Sequence, residues 1–141
     1  MVSRFRFNAF AMGAVMLVLL CASGLARATV SSLDVDQKAV PSAGSTVVTV
    51  TGSLVCTAGD AFEVSVLMLQ GKSGTQGNGS SLNPLTCTGA GQDYSVDVPV
   101  LFPSGGEYAN GPATVRVTGF DITDGTVDRV IEDVVIAGSG K

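Results

Sequence analysis

Apolar and polar residues alternate along much of the chain beyond residue 31, and this period of two predicts β-strands rather than helices. The clearest alternation covers residues 48–56 and 62–68. The segment between them, residues 57–60, contains a glycine and an aspartate, which favour a turn. We therefore expect these two strands to form a hairpin with one buried face.

The same alternation predicts five further strands, and together they indicate the fold class. They cover residues 32–37, 85–88, 92–100, 113–119 and 127–136. Asp124-Gly125 predicts a two-residue hairpin turn before the last of them. About seven strands without a helical segment are typical of an all-β sandwich. Because one sheet alone would leave a face bare, we predict an Ig-like antiparallel β-sandwich. The chain has no Trp, and Cys56 and Cys87 are too close in sequence for an antibody-type domain.

Two segments lack alternation and are predicted to be surface loops, residues 71–84 and 102–112. Long loops on a rigid scaffold often carry function, so we expect ligand contacts there. Because the first segment supplies almost no apolar area, we also expect that shortening it leaves stability nearly unchanged. The candidate ligand-binding residues of the two loops are Lys72, Gln76, Asn78, Asn83, Phe102, Tyr108 and Asn110.

Residues 1–28 have the pattern of a bacterial secretory signal peptide. Arg4 and Arg6 precede an apolar run over residues 9–22, and small residues at 26 and 28 suit cleavage before Thr29. The sequence therefore predicts one mature domain, residues 29–141, that is secreted or periplasmic and has no membrane anchor.

Two alternatives to this cleavage remain open at the level of sequence. The apolar run could stay attached as an N-terminal anchor, although it is short for a membrane span. Cys21 could be the lipidated first residue of a lipoprotein, although Leu20 is not the small residue that usually precedes such a cysteine.

Charge and cysteine content limit the partners of the predicted domain. Beyond residue 28 the chain has five basic and twelve acidic residues, a net charge of −7, which argues against binding nucleic acid or an anionic membrane. Cys56 and Cys87 form an even pair in an exported chain, which predicts a disulfide. Metal binding is the rival interpretation of this pair, but two thiolates in a chain without His cannot complete a structural zinc site unless carboxylates supply the other ligands.

The sequence does not predict an enzyme or a cofactor. Without His there is no Ser-His-Asp or Cys-His nucleophile, and the phosphate-loop motif is missing. Glycosidase chemistry would need a placed carboxylate pair and usually sugar-stacking aromatics, of which only Tyr94 and Tyr108 are available. Asp121, Asp124 and Asp128 could hold Ca²⁺, or they could simply face solvent on a hairpin turn.

Several apolar residues fall on strand faces that the alternation assigns to solvent: Leu67, Leu69, Leu101, Phe102, Phe120 and Ile131. Such residues can reflect a register shift, a bulge or a strand buried on both faces. Alternatively, contiguous exposed apolar residues mark a surface that binds a partner.

A spaced set of turn and cysteine residues resembles small exported bacterial Ig-like proteins of unknown function. The set consists of Gly52, Cys56-Thr-Ala-Gly59, Gln70, Cys87-Thr-Gly89 and Gly111-Pro-Ala-Thr-Val115. The resemblance covers residues 45–136 and implies a fold without catalytic residues. We therefore expect a monomeric, non-enzymatic exported module that binds a protein or glycan. The alternative is a structural subunit of a pilus- or adhesin-like surface assembly, which a weaker resemblance to fimbrial subunits suggests.

Overall fold

The computed structural model describes residues 32–41, 46–71, 74–81, 84–101, 106–123 and 125–138. Within these ranges the chain forms nine β-strands and no helix, so the predicted all-β class is confirmed. The strands are β1 (Ser32–Val35), β2 (Lys38–Pro41), β3 (Val47–Val55), β4 (Ala61–Gln70), β5 (Thr75–Ser80), β6 (Leu85–Thr86), β7 (Gln92–Pro99), β8 (Gly111–Asp121) and β9 (Val127–Ile136). The predicted signal peptide and Cys21 lie outside the described residues.

The strands pair in two groups. In sheet A, β3 pairs with β1 and β2 along one edge and with β7 along the other. In sheet B, β8 lies between β4 and β9, and β4 also pairs with β5 and β6. Strand β2 joins the groups, because Val40 and Pro41 pair with β3 while Lys38 and Ala39 pair with β9. The β2–β9 pairing is parallel, so the sheets are not purely antiparallel as the sequence predicted.

The predicted hairpin between β3 and β4 is wrong. These strands belong to sheets A and B respectively, and the short connection between them passes from one sheet to the other. Alternation fixes which side chains are buried, but it is the same for a hairpin and for a connection between two stacked sheets. The later hairpin, β8–β9, is present, but residues 122–126 separate its strands, so the predicted two-residue turn is also wrong.

The structure has two strands that the sequence did not predict, β2 and β5. The loop prediction for residues 71–84 is wrong over Thr75–Ser80, which pairs with β4 from Ser65 to Gln70. Glycines hide this strand in the sequence, and they are required by close backbone approach. A Cβ at Gly77 would collide with the Tyr108 hydroxyl, and one at Gly79 with the carbonyl oxygen of Asp97. Shortening this segment would therefore remove a strand that packs against β7.

The buried side chains of both sheets form one hydrophobic core, an arrangement compatible with a β-sandwich. Alternate residues of β3, β4, β7 and β8 supply most of it, and Val48, Phe62, Val98 and Val117 are completely buried. The predicted Cys56–Cys87 disulfide is confirmed, and both cysteines belong to this core. The sheets also meet at an isolated bridge between Gly77 and Val100.

Candidate functional site

The two sheets present different outer faces to solvent. On sheet A the outward positions of β1, β3 and β7 are mainly hydroxyls and carboxylates, and they bond to one another. Thr49 Oγ1 donates to Asp97 at 2.6 Å, and Thr51 Oγ1 donates to Asp36. An open cavity of about 500 Å³ lies on this side. It is lined by Asp36, Thr51, Gly52, Ser53, Asp93, Tyr94 and Ser95.

The outer face of sheet B exposes large apolar side chains among polar ones, which include Thr114, Arg116, Arg129 and Asp133. Five large side chains on β4, β8 and β9 are 41–62% exposed, and we call them the apolar face: Leu69, Phe120, Val127, Ile131 and Val135. Leu67, which precedes Leu69 by two positions on β4 and is paired with Arg116, is half-buried. The predicted exposure of Leu69, Leu101, Phe120 and Ile131 is therefore confirmed, whereas Phe102 lies outside the described residues.

Strand register places the residues of this outer face in rows. Phe120 of β8 is paired with Glu63 of β4 and with Val127 of β9. Further along β8, Arg116 is paired with Leu67 and with Ile131. A cation thus lies within the apolar face, an arrangement that combines apolar contact with a charged anchor, and Arg is enriched in protein interfaces.

The sequence did not single out Val127 and Val135 as members of this face. Both are on β9, where apolar residues at neighbouring positions obscure the period of two. The pairing of β9 with β8 places both residues on the outer face of sheet B, because Val127 is opposite Phe120 and Val135 is opposite Pro112. The available signal was the odd numbering shared by Val127, Ile131 and Val135.

The predicted ligand-loop residues do not form one site among the described residues. Gln76 and Asn78 are exposed on β5, Asn110 is exposed just before β8, and Tyr108 is buried against Gly77. Asn110 Oδ1 accepts a hydrogen bond from the Gly138 amide at 2.8 Å. Lys72, Asn83 and Phe102 lie outside the described residues.

The segment before β8 is held by a side chain that the sequence did not mark for this role. Gln70 is buried at the end of β4, and its Oε1 accepts from the Ala109 amide at 2.9 Å. Its Nε2 donates to the Ala109 carbonyl oxygen. A buried amide that bonds both groups of one residue fixes the backbone there, so residues 106–110 are attached to sheet B.

The aspartates proposed for calcium have different environments. Asp121 is buried, and its Oδ1 accepts from the Thr123 amide at 2.7 Å, which stabilises the turn after β8. Asp128 Oδ1 accepts from the Arg129 amide at 2.8 Å. Asp124 lies outside the described residues. Within the described part of the chain, no group of three or more His, Cys, Asp or Glu could hold a metal ion.

No family model and no curated protein matches this chain. Among the described residues there is no helix long and apolar enough to cross a membrane.

Proposed function

We propose that the chain is an exported, non-enzymatic, Ig-like β-sandwich module that binds a protein partner on the apolar face of sheet B. One observation carries the proposal, the contrast between the two outer faces. On sheet A, two threonine hydroxyls donate to carboxylates of the same face, whereas sheet B exposes five large apolar side chains. A protein partner fits this surface better than a glycan does, because Phe120 is the only aromatic residue on the apolar face.

The confirmed disulfide supports the exported part of the proposal, because disulfides persist in oxidising compartments. The signal-peptide pattern of residues 1–28 supports it independently. The non-enzymatic part rests on the sequence, which has no His and no recognisable catalytic motif.

The test is capture of a protein partner by residues 29–141 immobilised through the C-terminus. Native envelope extract and culture supernatant are the sources, and mass spectrometry identifies what is retained. We expect the double variant Leu69→Ser/Phe120→Ser to lose the captured partner, because it removes two large members of the apolar face. Val40→Ser is the matched control, since Val40 is also an exposed apolar residue, 38% exposed, but pairs with Thr49 of sheet A.

Equal capture by the parent and the double variant, with unchanged melting temperatures, would contradict the proposed site.

The alternative function, a structural subunit of a surface assembly, is favoured by a different observation. Part of the outer edge of β9 has no strand pairing among the described residues.

A further inference from the structure

Part of one edge of β9 has no strand partner among the described residues, and the direction of its backbone groups is defined. The Val135 amide donates to the Gln37 carbonyl oxygen at 2.8 Å, away from β8. Backbone groups of successive residues point to opposite edges of a strand, so the amides and carbonyls of Arg129, Ile131 and Asp133 also point away from β8. Among the described residues, strand pairing on this edge is confined to Val135 and Ile136, which pair with β2.

The sequence of β9 restricts how this edge can pair with a copy of itself. A two-fold symmetric antiparallel pair brings one β9 residue opposite its own copy. Centring the pair on Arg129 or on Glu132 opposes like charges directly. Centring it on Val130 places Asp128 opposite Glu132, which again opposes like charges.

Centring on Ile131 gives a register free of opposed like charges. Ile131 lies opposite Ile131, each Arg129 lies opposite an Asp133, and each Val130 lies opposite a Glu132. Ile131 is 62% exposed, the largest value among the exposed large apolar residues that the structure describes. Arg129, Ile131 and Asp133 all point to the outer side of sheet B, so an apolar contact would be flanked by two ion pairs.

We propose that two copies of this chain associate through β9, in an antiparallel ladder over residues 129–133 centred on Ile131. The two Ile131 residues form a hydrogen-bonded pair and exchange their N–H···O bonds. The ladder ends on each side where β2 occupies the edge at Val135. In the single chain the Arg129 amide donates to the Asp128 carboxylate. This hydrogen bond must break before the Arg129 amide can join the ladder. The proposal replaces the monomer that the sequence led us to expect, and it goes beyond the proposed function.

Charge reversal tests the register directly. Arg129→Asp places Asp opposite Asp133, and Asp133→Arg places Arg opposite Arg129, so each variant alone opposes like charges twice per dimer. We expect each to weaken self-association by roughly tenfold or more in sedimentation equilibrium. An equimolar mixture should recover the parent's affinity as a heterodimer, because both cross-strand pairs are then attractive. Recovery on mixing also shows that each variant is folded.

A cysteine at the centre of the register provides a second test. Opposed residues of a hydrogen-bonded antiparallel pair have Cα atoms about 5.5 Å apart, within disulfide range. Ile131→Cys should therefore form a covalent dimer on mild oxidation. Arg116→Cys is the matched control, because Arg116 is the neighbour of Ile131 on β8, one strand further from the proposed two-fold axis.

Several results would overturn the proposal. The first is a parent chain that remains monomeric at its highest soluble concentration. Another is a pair of reversed variants that does not recover on mixing, or equal cross-linking of the two cysteine variants. If the edge instead accepts a strand of a captured protein, Arg129→Asp will weaken that capture while the purified parent stays monomeric. The Leu69→Ser/Phe120→Ser variant changes neither Arg129, Ile131 nor Asp133, so it tests the proposed function separately.

Discussion

At the scale of single residues, two buried tyrosines have raised pKa values with different hydrogen bonding. Desolvation is the main cause for both, and for Tyr94 the charges of Asp36 and Asp34 add to it. Burial raises the pKa of Tyr108 to about 12. The Tyr94 hydroxyl donates to the Asp34 carbonyl oxygen at 2.8 Å, whereas the buried Tyr108 hydroxyl has no hydrogen-bond partner among the described residues.

These tyrosines make stability depend on pH in the alkaline range. A pKa that is higher in the folded than in the unfolded protein contributes stability below the unfolded value, about 10 for tyrosine, and loses it as the pH rises further. We therefore expect the free energy of unfolding from urea titrations to fall above about pH 10. In Tyr94→Phe and in Tyr108→Phe, the free energy of unfolding should decrease less above about pH 10 than it does in the parent.

At neutral pH, Tyr94→Phe should lower the free energy of unfolding by about 1 kcal/mol and Tyr108→Phe by less, because only Tyr94 loses a hydrogen bond. Equal losses would contradict this difference.

At the scale of strands, the sequence predicted some elements closely and missed others for a physical reason. The last strand was predicted at its observed bounds, residues 127–136, because this segment is rich in the β-branched residues Val and Ile, although its alternation is incomplete. Strand β5 was missed because a strand with glycines at 77 and 79 has few side chains to show a period. The exposed apolar residues were predicted one by one. Their assembly into one face depends on which strands are neighbours, and alternation does not specify that.

The glycines of β5 give a direct test of this packing. In Gly79→Ala the added methyl group would meet the Asp97 carbonyl oxygen and the backbone carbon beside it, neither of which can rotate away. We expect a loss of about 2 kcal/mol or more in the free energy of unfolding, as for overpacked cores. Gly91→Ala is the control, since no heavy atom lies within 4 Å of the position that its Cβ would take, and it should change stability by less than about 1 kcal/mol. A neutral Gly79→Ala variant would show that β5 does not pack closely on β7.

At the scale of the whole molecule, the disulfide connects two places where the chain passes between the sheets. Cys56 follows β3 of sheet A and begins the connection to β4 of sheet B, while Cys87 follows β6 of sheet B and begins the connection to β7 of sheet A. Backbone hydrogen bonds reinforce this link. Gly59 N–H donates to the Cys87 carbonyl at 2.8 Å, and Cys87 N–H donates to the Asp60 carbonyl at 2.9 Å.

This link should make the stability of the whole fold depend on the redox state of its surroundings. The cysteines are 31 residues apart, and closing a loop of that size stabilises a protein by about 3–4 kcal/mol in the chain-entropy model. We expect the Cys56→Ala/Cys87→Ala variant of residues 29–141 to lose about that amount in urea titrations. A thiol reductant should destabilise the parent by a similar amount and leave the variant unchanged. Two reactive thiols in the parent purified under oxidising conditions would contradict the disulfide. A parent no more stable than the variant would contradict its role, because the hydrogen bonds around Cys87 would then hold the two connections without it.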